Sequence, residues 1–344
     1  MTSPVENYND GTMNNAMKKI RAGVIGVGYL GRFHAQKYAS MEGVELVGIA
    51  DIDPRQAQRV AEECSCASYD DHRALLRDID AVSIVVPTSL HHRIASDCIA
   101  AGVDILLEKP MTVTLAEADD LIGRCAEKGL VLQVGHLERF NPAIEAMEPF
   151  LTLPVFIESN RLSTFKNRGV DVDVVLDLMI HDIDIILNII QSPLQSIHTA
   201  GAPVVTATTD IANARLIFEN GATANVTASR ISRTNVRKMR IFQPGSYINV
   251  DFAKRKFMTI TLTDEILESG MPRQDIQVHT FAAGDALRSE IEHFIGHVRH
   301  RTRPKVSGHE GRRALDVALQ VMAQIREHQD LDVFRKVSEV FRKP

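Results

Sequence analysis

The stretch Gly26-Val27-Gly28-Tyr29-Leu30-Gly31 follows an apolar run at 20–25 (I-R-A-G-V-I) and opens an amphipathic segment at 29–40. A G-x-G-x-x-G pattern alone carries little weight. Here it lies between a strand and a helix, with a second apolar strand at 44–50 (V-E-L-V-G-I-A) and an acid, Asp51, at that strand's end. Each glycine then has a physical task. Gly26 permits the tight turn, Gly28 lets the backbone approach a pyrophosphate, and Gly31 lets the helix sit close to the sheet. Phosphates over this turn face a helix N-terminus and its N–H groups. Gly26, Gly28, Tyr29, Leu30 and Gly31 are therefore the expected dinucleotide contacts. Asp51 lies 20 residues beyond Gly31, where an acid binds the hydroxyls of an adenosine ribose and repels a 2′-phosphate. This favours NAD over NADP. Asp53 reads instead as the N-cap of a helix begun by Pro54.

Outward from the turn, strands and helices alternate. After the helix at 54–64 come a helix near 71–77, a strand at 81–86, a helix near 91–101 and a strand at 103–107. A helix at 114–128 and a strand at 130–134 complete the series. Short connections and strands apolar on both faces predict a doubly wound parallel sheet covered by helices on each side. After about residue 150 the rhythm changes. Strands are expected at 155–161, 204–209, 211–218, 222–230, 238–242 and 246–252, with Asn220-Gly221 as a hairpin turn. The fold class is thus α/β: an N-terminal Rossmann sheet, then an α+β domain around a large, mostly antiparallel open sheet. Helices near 173–191, 284–300 and 309–328 are expected to pack on that second sheet. The division is a disordered polar leader at 1–18, a dinucleotide domain at 19–142, a substrate-binding and oligomerisation domain at 143–330, and a tail at 331–344.

Composition agrees with two domains. The chain has 344 residues, against roughly 100–200 per domain. A net charge of −5 provides no global basic field for nucleic acid or anionic membrane. The most apolar stretch, near 174–190, carries Asp177, His181, Asp182 and Asp184, which excludes a lipid-facing span. Cys64, Cys66, Cys98 and Cys125 all fall in the first 125 residues. They form no disulfide framework and read as reduced thiols of a cytoplasmic protein.

Glu108-Lys109-Pro110 follows the strand at 103–107, so Lys109 sits where parallel sheets bind ligands, and Pro110 is a candidate for a cis bond. In the helical stretch 173–190, Asp177 and His181 are four residues apart and share a face. They read as a general base oriented by a carboxylate. The alternatives are a metal pair, His181 with Asp184, and a satisfied buried ion pair.

These motifs in this order resemble the Gfo/Idh/MocA family of nicotinamide-dependent oxidoreductases. The carriers are G-V-G-Y-L-G at 26–31, A-D-I-D-P at 50–54, V-P-T-S-L-H-H at 86–92, L-E-K-P at 107–110 and V-L-D-L-M-I-H-D-I-D at 175–184. The resemblance implies that Lys109, Asp177 and His181 meet between the domains above the nicotinamide ring. It also implies that Val86, Pro87, Thr88, His91 and Glu108 line the cofactor site, and that the C-terminal sheet makes a homodimer or homotetramer.

G-H-L-E-R-F-N-P-A at 135–143 and the run 211–230 look like the branch that oxidises the 3-hydroxyl of UDP-N-acetylglucosamine. In that branch an aminotransferase then converts the ketone to an amine for lipid A. The branch implies substrate contacts at Lys109, Arg139, Asn141, Asp177 and His181. Arg230, Arg233, Arg237, Lys238 and Arg240 are candidate cations for a diphosphate, although strand alternation puts only some on one face. Rival readings are an inositol, free-sugar or UDP-sugar-uronate dehydrogenase, and a non-catalytic NAD-binding regulator. For the base, His181 starts near a pKa of about 6.5, whereas Lys109 would need about 10.4 lowered by roughly 3 units. His181 is favoured as base, with Lys109 donating to the substrate oxygen and Asp177 positioning both; Lys109 as base is the alternative.

Overall fold

The computed structural model describes residues 18–165, 172–282 and 284–329. All of the expected leader before Lys18, and the tail at 331–344, lie outside these. The first sheet begins with β1 (Ile20–Ile25), which leads through the glycine turn into α1 (Tyr29–Ala39). β2 (Val44–Ala50), α2 (Pro54–Cys64), β3 (Ala67–Tyr69) and the short α3 (His72–Leu75) follow. β4 (Ala81–Ile84), α4 (His91–Ala101), β5 (Asp104–Glu108), α5 (Leu115–Lys128) and β6 (Leu132–Gly135) complete it. Pairing is parallel throughout, in the order β3-β2-β1-β4-β5-β6. The chain changes direction across the sheet between β1 and β4, and the crevice at their carboxyl ends is where such sheets bind ligands. Every residue of β4 and β5 is buried, as helices on both faces require.

After α6 (Pro142–Met147), β7 (Phe156–Leu162) enters the second sheet. A wide helical turn (Val175–Met179) runs directly into α7 (Ile180–Ile189). Then come β8 (Leu194–Ala202), β9 (Ile211–Phe218), β10 (Thr223–Ser229), β11 (Val236–Gln243), β12 (Ser246–Asp251), β13 (Lys256–Ile266) and β14 (Pro272–Thr280). The strand order is β14-β13-β12-β11-β7-β10-β9-β8, antiparallel except where β7 meets β10. Alternation sets the faces: Ala212, Ala214, Leu216 and Phe218 of β9 point into a core shared with α7, and the residues between them point out. The hairpin at Asn220-Gly221 joins β9 to β10, with Gly221 at φ +85°.

Two expectations are corrected. Residues 204–209 form no strand, because the buried Asp210 carboxylate takes the N–H groups of Val204, Val205 and Thr206 at 2.8, 2.6 and 2.8 Å. A side chain thus satisfies donors that a ladder would otherwise need. The second correction concerns α8 (Ala286–His300), which packs on the first sheet rather than the second. Its Ile291, Phe294, Ile295 and Val298 share a core with Ala35 and Tyr38 of α1 and Val44 of β2. Of the three helices expected on the second sheet, α9 (Gly308–Gln329) contributes fully buried residues to both cores. Its Leu315 joins the core of the first sheet, and its Val317, Ala318 and Val321 join the second. No helix among the described residues is long and apolar enough to cross a membrane.

Because α8 completes the cofactor-side core, Phe294→Ala should cost about 3–5 kcal/mol, the usual loss for a buried aromatic. Urea unfolding of the purified variant checks this, and a loss under about 1 kcal/mol contradicts the packing described.

Candidate active site

The glycine turn has the geometry its spacing implies. Gly26 adopts φ +83°, and a Cβ there would lie 2.5 Å from the Val85 carbonyl oxygen. A Cβ on Gly31 would lie 1.8 Å from the Gly26 carbonyl oxygen, so α1 can start only on a bare backbone. Around Gly28 a Cβ would meet nothing within 4 Å, which leaves the turn open on its outer side. Gly28 is also the N-cap of α1, with no side-chain cap over the helix start. Tyr29 is exposed, its ring edge-on to Phe33 at 5.4 Å, and Leu30 is half-buried.

Asp51 does more than the spacing suggested. Its carboxylate accepts from the Val27 N–H at 2.7 Å and the Asp53 N–H at 2.9 Å, pinning the glycine turn to the end of β2. Asp53 caps α2 through the N–H groups of Arg55 and Gln56. An open cradle, a helix start without a side-chain cap and a carboxylate at the end of β2 together fit a dinucleotide with free ribose hydroxyls.

Pro87 is exposed, and the half-buried Thr88 begins a tight turn into α4. His91 is buried beneath them. Its Nε2 lies 2.9 Å from the Val86 carbonyl and its Nδ1 2.9 Å from the Pro110 carbonyl, so the ring braces two loops that rim the crevice. Burial holds its pKa below the usual histidine value. The Lys109–Pro110 bond is cis. Glu108 points inward, 3.3 Å from His34 Nε2, and accepts from the Lys109 N–H at 3.2 Å.

Lys109 projects from the end of β5 to the second half of the chain. Its Nζ donates to the backbone carbonyl of Asp177 at 2.8 Å and lies 3.5 Å from that residue's carboxylate. Asp177 sits in the wide turn before α7, where the Ile180 N–H reaches back five residues to the Val175 carbonyl. The even α-helix expected over 173–191 is therefore interrupted by a π-turn, a feature frequent at functional sites. His181 follows in the first turn of α7, partly exposed. Burial, then Lys109, Arg161, His136 and Arg237, push its pKa well below 6.5, so the ring is neutral near pH 7. Among the described residues no group of three or more His, Cys, Asp or Glu side chains is arranged to hold a metal.

Under this trio lies an ionic floor that the sequence reading missed. Buried Arg161 makes a fork of two 2.9 Å bonds to Asp182 and a 2.8 Å bond to Glu138. Burial pushes the Glu138 carboxyl up, but Arg161 and Arg237 outweigh it and hold the group below its usual value. A signal was available: in β7 Arg161 occupies the same inward register as Ile157 and Ser159, which a lone cation takes only with partners.

Arg139 and Asn141 are engaged within the protein. Arg139 is 4% exposed, donates to Asn188 at 2.7 Å and lies 3.5 Å from Asp184. Asn141 caps α6 by accepting from the Ala143 N–H at 3.1 Å. The basic stretch divides by strand register. Lys238 pairs with Asp251 and Arg240 with Glu158 on the open face, while Arg230 reaches the Val172 carbonyl and Arg233 is exposed. Arg237 lies beside Glu138, 3.4 Å away.

Residues 20–136 match the Gfo/Idh/MocA oxidoreductase family's NAD-binding Rossmann fold, and residues 158–243 match the GFO/IDH/MocA C-terminal domain. UDP-N-acetylglucosamine 3-dehydrogenase of Acidithiobacillus ferrooxidans is 40% identical over 310 residues, covering 90% of this chain and 98% of its own. A solved structure of that enzyme has a TM-score of 0.84 at 39% identity, covering 89% of this chain and 98% of that one. The scyllo-inositol 2-dehydrogenase (NAD(+)) of Bacillus subtilis is 28% identical over 315 residues, covering 84% of this chain and 89% of its own. Levoglucosan dehydrogenase in complex with NADH and levoglucosan shares the fold, with a TM-score of 0.79 at 18% identity over 90% of this chain and 98% of that one. With both halves matched and a relative 40% identical along nine-tenths of its length, the chain belongs to the Gfo/Idh/MocA family of NAD-binding oxidoreductases and is a dehydrogenase of CH–OH groups.

Proposed function

We propose that the protein oxidises the 3-hydroxyl of UDP-N-acetylglucosamine to a ketone. The observation that carries the substrate is the 40% identity to the Acidithiobacillus ferrooxidans enzyme across 90% of this chain. The more distant inositol dehydrogenase supports the reaction class but not this sugar.

The glycine turn and the start of α1 would hold the pyrophosphate of NAD, and Asp51 would hold its adenosine ribose. When bound, NAD supplies the carbon that accepts the hydride. His181 takes the hydroxyl proton. Burial and the surrounding cations keep its ring neutral, so it has a lone pair to offer at working pH. Lys109, already a donor to Asp177, is suited to donate to the substrate oxygen as well. Asp177 holds it there with both its carbonyl and its carboxylate. Arg237, beside Glu138 and among the cations acting on His181, is our choice for the diphosphate end. Arg139 and Asn141 set the positions of α6 and α7 in this reading, and His91 supports the rim.

The functional division is a cofactor half at 19–142, completed by α8, and a substrate half at 143–330. We assign the open face of the second sheet to a homodimer or homotetramer. The protein works in the cytoplasm, where NAD and nucleotide sugars occur. Its ketone suits an aminotransferase, which would also draw an uphill oxidation forward.

NADH formation with UDP-N-acetylglucosamine, an aminotransferase and its amino donor tests the substrate. Sustained NADH production is expected. Turnover with inositol or a free sugar, and none with the nucleotide sugar, would overturn the assignment. For the mechanism, Lys109→Met and His181→Asn should each lower kcat by about 10²–10⁴-fold while NAD binding persists. A neutral His181 is the active form and its pKa lies below 6.5, so the acid limb of kcat/KM should fall below pH 6.5. Near wild-type turnover in both variants sinks this mechanism.

A further inference from the structure

Five buried polar atoms beside the catalytic trio have no hydrogen-bond partner: His181 Nδ1, both ring nitrogens of His136, Arg139 Nε and Asp184 Oδ2. Folded proteins rarely leave such atoms unpaired. These five belong to one cluster. His181 and Asp184 are three residues apart on α7 and share a face. His136 and Arg139 are three apart at the tight turn (Leu137–Phe140) that follows β6. Arg139 Nη1 lies 3.5 Å from Asp184 Oδ1, tying one pair to the other. The rings of His136 and His181 stand edge to face, 6.3 Å apart at 89°.

The arithmetic of donors and acceptors has one balanced solution. Arg139 Nε can only donate, and ionised Asp184 Oδ2 can only accept, through two lone pairs. His136 is 1% exposed, and its burial favours the neutral ring, with one N–H and one lone pair. If His181 Nδ1 carries a hydrogen, three donors meet three acceptor sites. If it carries a lone pair, two donors face four. None of these contacts is direct in the structure, so a bridging water or a small shift of the rings completes them, which a polar cluster of this kind accommodates.

We propose that His136, with Asp184 and Arg139, is a positioning group that holds His181 as the Nδ1–H tautomer and so leaves the lone pair on Nε2. This rests on the reading of His181 as the base. In the reaction the substrate O–H bond breaks and an N–H bond forms at His181 Nε2, while the carbinol hydrogen leaves as hydride to NAD. Nδ1 keeps its hydrogen throughout, and Asp184, on the same face of α7, supplies negative charge to the cluster as the imidazolium forms. His136 touches no reacting atom. Its effect passes through the orientation and tautomer of its neighbour.

Nitrogen-15 NMR of the full-length protein, with histidine labelled and His181 assigned by difference from His181→Asn, tests this directly. The wild type should show His181 protonated at Nδ1. His136→Phe, which keeps an aromatic ring without nitrogen, should give mixed tautomers and lower kcat about tenfold or more, with NAD affinity unchanged. His136→Gln, which retains a donor and an acceptor, should recover part of the loss. A wild-type His181 carrying hydrogen only on Nε2 overturns the proposal whether or not the variants fold. So does a His136→Phe protein with an unchanged His181 spectrum. Failure of the base assignment is separate: it shows as near wild-type turnover in His181→Asn, whatever the tautomer in the wild type.

Discussion

The contact on which the arrangement depends is the reach of Lys109 from the end of β5 to the carbonyl and carboxylate of Asp177. It joins the crevice of a cofactor-binding sheet to the wide turn that leads into a helix of the other half. Each side of it has its own physical origin. A parallel sheet presents its strand ends, not its faces, to ligands, and Lys109 is the residue immediately beyond β5. On the far side, the π-turn at Val175–Met179 changes the helical phase just before His181. The long helix α9 fixes the spacing between the halves by packing in both cores, and a Cβ on its Gly311 would come within 2.6 Å of Val134 on β6.

Charge around this contact is balanced group by group. Arg161, buried and always cationic, is neutralised by Asp182 and Glu138, and Arg139 is faced by Asp184. Buried ions persist only with such partners. His181 still sits in low-dielectric and net positive surroundings, because burial and then Lys109, Arg161 and Arg237 all disfavour its protonated ring. The ring therefore gives up a proton readily, which suits a group that must return to its neutral form after each turnover. The floor itself is a network of buried, mutually bonded ions rather than a set of surface charges.

Much of this was legible in the sequence because it is local. The glycine turn, the cap at Asp53, the hairpin at Asn220-Gly221 and the strand-helix rhythm each depend on a few adjacent residues. What escaped depends on partners far along the chain. The apolar stripe of α8 has the same period whichever sheet it covers. The run at 204–209 looks extended until Asp210 is seen to take its N–H groups. β14 is almost wholly exposed, so it gives no alternating burial signal. Arg139 and Asn141 stood in a motif associated with substrate, yet Arg139 is tied to Asp184 and Asn188, and Asn141 caps a helix. Arg161, which anchors the floor, drew no attention as one cation in a polar strand.

Oxidation at the 3-hydroxyl means that this site removes hydride from the sugar C3. The direct measurement is single-turnover reaction of the holoenzyme with NAD and UDP-N-acetylglucosamine deuterated only at C3, with mass analysis of the NADH formed. Every NADH should carry one deuterium. NADH formed without deuterium, with the label still on the sugar, would show that another carbon is oxidised and would contradict it.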